Sequence, residues 1–310
     1  MPPRVFLSDL TNHCLSFFWE ENPNWYVGYR LIEGHPLITT TPAIDVDKQP
    51  NHIDKFWSPD YPCTEKRLRS PYPEWLNNFQ PQYNGDPYHF VFNTCLDGSA
   101  RCEARINQGE QTLEWTFKPV SDGVWITLQV TTRTPLPGGY GLQQCLRFTG
   151  SNNEYWRRKV AHTPFLSEFD LQAVGQPNLT LSYARQNDHW LEFPVPYTIL
   201  FTLAGSSLPN KVDHNNVDHG LIIRQTIDRK LAPDWYQEIT APGATWDMIS
   251  AGMYWERTLF ISNRHPADCL HAIVDFGPLE SGERRTLYGK FYWVEGTKDD
   301  LLANWRKDFK

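Results

Sequence analysis

From Thr112 to Thr131 the side chains alternate strictly. Leu113, Trp115 and Phe117 are separated by Glu114 and Thr116; beyond Ser121-Asp122-Gly123, Val124, Ile126, Leu128 and Val130 are separated by Trp125, Thr127 and Gln129. A two-residue period turns one face of each strand toward a core, and the Asp-Gly step between the runs predicts a hairpin. The same period fits Leu142 to Phe148 after Pro137-Gly138-Gly139, and Leu221 to Ile227 after Gly220. Tyr197 to Leu203, Thr258 to Ile261 and Leu270 to Phe276 are apolar, β-branched-rich runs, which predict strands buried on both faces.

From Arg284 to Val294, Leu287, Phe291 and Trp293 alternate with Tyr288, Lys290 and Tyr292, and Gly289 marks a place for a bulge or bend. The turn-rich connector Gly277 to Glu283 precedes this run. One convincing helix is predicted, over 297–309. Thr297 can cap it, Asp299 and Asp300 suit its positive first turn, and Leu301, Leu302, Trp305 and Phe309 form an apolar stripe. Such a helix is expected to cover a sheet edge or an open sandwich end. Together these elements predict a mainly β fold: an antiparallel β-sandwich, one domain over 1–310, with a long irregular N-terminal segment and a short C-terminal helix. Residues 39–87 stand apart, because prolines there alternate with Phe56, Trp57, Tyr61, Tyr72, Trp75 and Phe79; that pattern predicts a covering or binding segment.

With 13 Trp, 14 Tyr and 17 Phe among 310 residues, the chain has ample apolar surface to offset the entropy of ordering. Its formal charge of −7 excludes the clustered basicity that nucleic acid or an anionic membrane would need. The longest apolar stretch, Tyr197 to Ala204, is far shorter than the roughly 20 residues of a membrane span. The N-terminal residues show no apolar signal core, so the expected location is cytoplasmic, or secreted or periplasmic if a leader was removed. The six cysteines form no CxxC pair, which argues against a zinc ribbon; Cys95 and Cys102 flank Leu96-Asp97-Gly98-Ser99 and would face each other in a hairpin, leaving a disulfide open.

No GxGxxG, GxxxxGK[ST], GxSxG or HExxH occurs, so candidate chemistry rests on His and carboxylate clusters. His162 lies with Glu168, Asp170 and Arg157 within a short span, which suits general acid/base work or a turn stabilised by ion pairs. Asp213-His214-Asn215-Asn216-Val217-Asp218-His219 offers a catalytic His beside a carboxylate, a divalent metal site, or a solvated turn. His265-Pro266-Ala267-Asp268-Cys269-Leu270-His271 adds further ligands for such a metal, or a core imidazole at His271. Trp235, Tyr236, Trp255 and Glu256 are candidates to line a cleft. Sugar rings stack apolar CH faces on indoles and phenols while their hydroxyls seek acids, amides and guanidinium groups. Trp57, Trp75, Arg157, Trp235, Tyr236 and Trp255 are therefore candidate ligand contacts, and His162, His214, His219 and Glu256 candidate catalytic groups.

The antiparallel pattern from Glu103 to Val294, the connector GPLESGERRTLYGKFYW and the segment AHTPF resemble the galactose-mutarotase-like group of aldose epimerases and related carbohydrate-active domains. The resemblance implies a supersandwich-like fold and makes His162 a candidate general acid. The glutamate that epimerases carry near the C-terminal end has no matching local motif at Glu256, Glu280 or Glu283. The expected function is a carbohydrate-active protein that binds a sugar or oligosaccharide in a sandwich cleft, with acid–base chemistry of epimerase or lyase type. A non-catalytic glycan-binding protein is the alternative, and a metal-dependent hydrolase using His214, Asp218, His219, His265 and His271 is another. No cofactor is required by the leading reading, and the expected partner is a saccharide or other small molecule; oligomeric state is not legible.

Overall fold

The computed structural model describes residues 1–9, 14–32, 37–38, 80–81, 89–148, 181–186, 189–193, 197–201, 220–226, 248–264 and 269–310. In chain order the strands are β1 Arg4–Asp9, β2 Cys14–Trp19, β3 Asn22–Arg30, β4 Leu37–Ile38, β5 Gln80–Pro81, β6 His89–Thr94, β7 Ala100–Ile106, β8 Gln111–Val120 and β9 Gly123–Thr132. There follow β10 Leu136–Arg147, β11 Leu181–Gln186, β12 His189–Phe193, β13 Tyr197–Phe201, β14 Ile222–Gln225, β15 Ile249–Trp255, β16 Thr258–Arg264, β17 Cys269–Leu279, β18 Arg284–Glu295 and helix α1, Lys298–Phe309.

These strands form two antiparallel sheets. The first runs β1-β2-β3-β10-β17-β16-β13, with β4 paired to β10 and β5; the second runs β12-β11-β14-β15-β18-β9-β8-β7-β6. The predicted hairpin is β8–β9, with Leu113 opposite Val130, Trp115 opposite Leu128 and Phe117 opposite Ile126, all fully buried or nearly so. Its turn depends on Gly123 (φ +147°), where an added Cβ would lie 1.9 Å from the carbonyl oxygen of Phe291.

The sheets face one another across a single apolar cluster. Phe17 of β2 lies 5.0 Å from Phe291 and 6.2 Å from Phe117, and Tyr29 of β3 lies 5.7 Å from Phe117 (ring centroids). Each such ring contributes on the order of 2 kcal/mol by leaving water. One polar group sits among them without penalty. The side-chain oxygen of Gln144 accepts from Tyr29 Oη (2.7 Å) and Trp115 Nε1 (3.3 Å), and its amide donates to Leu31 O (3.2 Å). Burial raises the Tyr29 hydroxyl well above its ordinary pKa, so it stays a donor.

Two local expectations need correction. Gly289 makes no bulge: the β18 register runs unbroken past it against β9 and reaches it in step against β15, where Trp255 is its partner. A glycine stands there because the Trp255 indole lies on it, its Cδ2 only 2.5 Å from where a Cβ would be. Helix α1 covers neither an edge nor an end. Leu301, Leu302 and Trp305 bury against Leu221, Ile223, Tyr254 and Tyr292 on the outer face of the second sheet, over its interior strands β14, β15 and β18. Cys95 and Cys102, whose pairing the sequence leaves open, are free thiols. Cys102 is opposite Phe92 and Trp115 within the sheet, whereas the Cys95 N–H closes the turn onto Ser99 O at 2.8 Å. Burial pushes the Cys102 thiol far above its ordinary pKa.

Candidate functional site

Where the two sheets end beside one another, a hollow of about 230 Å³ opens. Trp19, the last residue of β2, and Trp293, near the end of β18, form its apolar lining with Val294 and Met1; the two indole rings pack 4.6 Å apart across the sheets at 35°. Both indoles are nearly fully buried, so they offer the hollow only a narrow strip. Around that strip stand Glu21 of the β2–β3 turn, Ser121 and Asp122 of the β8–β9 turn, Glu295 at the end of β18, and Asn304 of α1. Three stretches distant in sequence, around residues 19–21, 121–122 and 293–304, thus converge. The β8–β9 turn is tied to β18 by a hydrogen bond from Trp293 N to Asp122 O at 2.9 Å.

Asp122 is held from behind. Lys290 projects from the outer face of β18 and its Nζ donates to both Asp122 oxygens, at 2.8 and 2.9 Å, and to Asp308 Oδ2 of α1 at 2.7 Å. The side chain is only 2% exposed, and its ammonium lies 5.0 Å from the Trp125 ring centroid and 4.6 Å from that of Tyr292. Tyr292 Oη also donates to Asp308 Oδ2, at 2.8 Å. Burial first, then that bond and the surrounding acids, raises the Tyr292 hydroxyl far above its ordinary pKa. An ammonium withdrawn from water is tolerable here because two carboxylates and two ring faces replace its hydration. The network therefore fixes one carboxylate of the hollow and docks the helix in the same act.

Of the sequence-predicted site residues, Trp57, Trp75, Arg157, His162, His214, Asp218, His219, Trp235, Tyr236 and His265 lie outside the described residues. Trp255, expected to stack a ligand, is instead fully buried on Gly289. Glu256 sits in the turn leaving β15, where its Oε1 accepts from Tyr288 N at 3.0 Å and its own N–H donates to Tyr288 O at 3.1 Å. Its carboxyl thus extends the β15–β18 ladder by one step. Burial raises its pKa, with the Tyr288 N–H and Arg257 pulling the other way. His271 belongs to β17 of the other sheet, opposite Cys145 and Ser262. Strand alternation turns it away from the shared core, on the same face as the buried Cys14, Ser16, Cys145 and Arg147. Among the described residues no group of His, Cys, Asp and Glu is arranged to hold a metal, and no helix is long and apolar enough to cross a membrane.

Sequence reading did not single out the hollow. The pattern Trp-x-Glu occurs near strand ends at Trp19-Glu20-Glu21, Trp190-Leu191-Glu192 and Trp293-Val294-Glu295, and since the second does not line the hollow the pattern could not have singled it out.

No family model matches the chain, and no curated protein does. Solved structures do resemble it at the level of fold. A galactose mutarotase-like protein from Lactobacillus casei aligns with 67% of this chain and 74% of its own, at 13% identity and a TM-score of 0.33. Another galactose mutarotase-like protein, from Clostridium acetobutylicum, aligns with 95% of this chain and 99% of its own, at 9% identity and a TM-score of 0.35. The α-galactosidase from Lactobacillus brevis aligns with 89% of this chain and 39% of its own, at 9% identity and a TM-score of 0.35. The resemblance is galactose-mutarotase-like, and it concerns fold alone.

Proposed function

We propose that this protein binds carbohydrate and seats one sugar ring in the hollow between the sheet ends. The observation that carries the reading is the lining itself: two indoles beside Asp122, Glu21, Glu295, Asn304 and Ser121 in about 230 Å³. Cavities that take drug-sized ligands run from about 300 Å³ upward, so this one suits a single ring. The indole strip meets the CH face of the ring, and the acids, amide and hydroxyl accept from or donate to its hydroxyls.

A binding role without turnover is favoured by the place of Glu256, the one candidate catalytic group among the described residues. Its carboxylate is committed to the Tyr288 amide and does not line the hollow. Acid–base chemistry at His162, His214 or His219 remains a separate proposal, tested by turnover of aldoses and uronate polysaccharides in wild type and His162→Ala.

With so little indole exposed, a lone monosaccharide is expected to bind with a Kd of about 1 mM. Saturation-transfer NMR and titration calorimetry against a monosaccharide panel test this. Asn304→Ala is expected to weaken binding severalfold while the thermal midpoint barely moves. Absence of any saturable sugar binding, or binding indifferent to Asn304, rejects the hollow as the site.

A further inference from the structure

The charges around the hollow are not balanced, and the imbalance points to the chemical class of sugar it prefers. Asp122 has both oxygens taken by Lys290 Nζ, at 2.8 and 2.9 Å, an ammonium that it shares with Asp308. Glu21 pairs with the amine of Met1. Glu295 has no ion pair among the described residues, and no Lys or Arg side chain lines the hollow. A ligand entering there meets an uncompensated carboxylate and a second one paired only at the open surface. We infer that the hollow selects sugars bearing an ammonium group, such as hexosamines with a free amine, over neutral or carboxylated ones; this rests on the reading that the hollow binds a sugar.

Two physical considerations favour that class. An ammonium within reach of Glu295 forms a charge-assisted hydrogen bond, stronger than any that a neutral hydroxyl can offer there. A uronate would instead bring a carboxylate toward Glu295 and Glu21, where the Met1 amine, a cation of the lining, is already paired with Glu21. Because Glu295 is exposed, water and salt screen much of the attraction, so the preference is modest and ionic-strength dependent.

The test uses the full chain and five probes at low salt and mildly acidic pH: glucose, glucosamine, N-acetylglucosamine, glucuronate and ethanolamine, titrated by calorimetry and NMR. Glucosamine is expected to bind about fivefold more tightly than glucose, the size of an exposed ion pair. N-acetylglucosamine should match glucose, glucuronate should bind more weakly than either, and about 1 M NaCl should erase the glucosamine advantage. Glu295→Gln should bring the ratio of glucosamine to glucose affinity to about one, a ratio that cancels whatever the change does to glucose binding itself. Glucosamine and glucose binding alike, glucuronate binding best, or Glu295→Gln keeping the preference would each overturn the inference while leaving sugar binding intact. Ethanolamine matching glucosamine would also overturn it, since the ring would then contribute nothing. If none of the sugars binds, the underlying sugar reading falls and takes this inference with it.

Discussion

The indole of Trp255 lies directly on Gly289 of the neighbouring strand, with Cδ2 2.5 Å and Cε3 2.7 Å from the position of a missing Cβ. The two residues are register partners in the β15–β18 ladder, and both are buried. The largest side chain is thus paired with the smallest so that the core can close at native density.

Adding one methyl group at that point tests the relationship. Gly289→Ala is expected to lower stability by about 1 to 3 kcal/mol, because the ring must leave its rotamer or the strands must part. Chemical denaturation measures it. A Trp255→Leu background should absorb most of the loss, since the two changes share one contact and do not add. Additive losses would mean that the indole is not what forbids the side chain.

Periodicity within a strand is local, and for that reason it was legible. The alternations of Leu113 to Phe117, Val124 to Val130 and Leu287 to Trp293 predicted β8, β9 and β18, and each occurs. What Gly289 accommodates was not legible, because its neighbour Trp255 arrives from another strand; the residue alone reads as a bend. The helix shows the same limit. Its stripe of Leu301, Leu302 and Trp305 announced a buried face, but not that Tyr254, Tyr292, Leu221 and Ile223 would give the second sheet an apolar outer surface to receive it. The hollow was least legible, since Trp19, Asp122, Trp293 and Asn304 meet only after both sheets and the helix have assembled.

Lys290 offers a sharper test of how the hollow is built. Its ammonium is the shared partner of Asp122 and Asp308 in a part-buried setting. Lys290→Met keeps the unbranched apolar stem, removes the ammonium, and leaves two carboxylates without their shared cation. The expected loss is about 3 kcal/mol, typical of removing one member of a buried ion network. Asp308→Asn should be milder, since Lys290 keeps both bonds to Asp122. Urea midpoints of the two variants decide the matter, and equal effects would show that Lys290 is not the hub. Ring-current shifts of the Trp125 indole provide a second readout that reports the local packing directly.

Helix α1 carries a pH-dependent anchor whose sign is fixed by its geometry. Asp300 Oδ2 accepts from Thr297 N at 2.8 Å and from Thr297 Oγ1 at 2.7 Å, while Asp300 N returns a longer bond to Thr297 Oγ1 at 3.4 Å. The Thr297 side-chain and backbone bonds hold the Asp300 carboxyl below its ordinary pKa. A depressed folded value means that the unfolded chain binds the proton more readily, so the contribution is present above the ordinary aspartate range and is lost as pH falls through the folded value. Glu256 runs the other way. Burial raises its folded pKa, so stability declines as pH rises from the ordinary glutamate range toward the folded value. Urea midpoints followed across the carboxylate range should therefore show Asp300→Asn losing stability mainly at the upper end and Glu256→Gln gaining relative to wild type there. Thr297→Ala should cost about 1 kcal/mol near neutrality and less in acid, where the Asp300 carboxyl that Thr297 donates to is already protonated. A Thr297→Ala loss independent of pH would separate the cap from the Asp300 charge and sink the coupling between them.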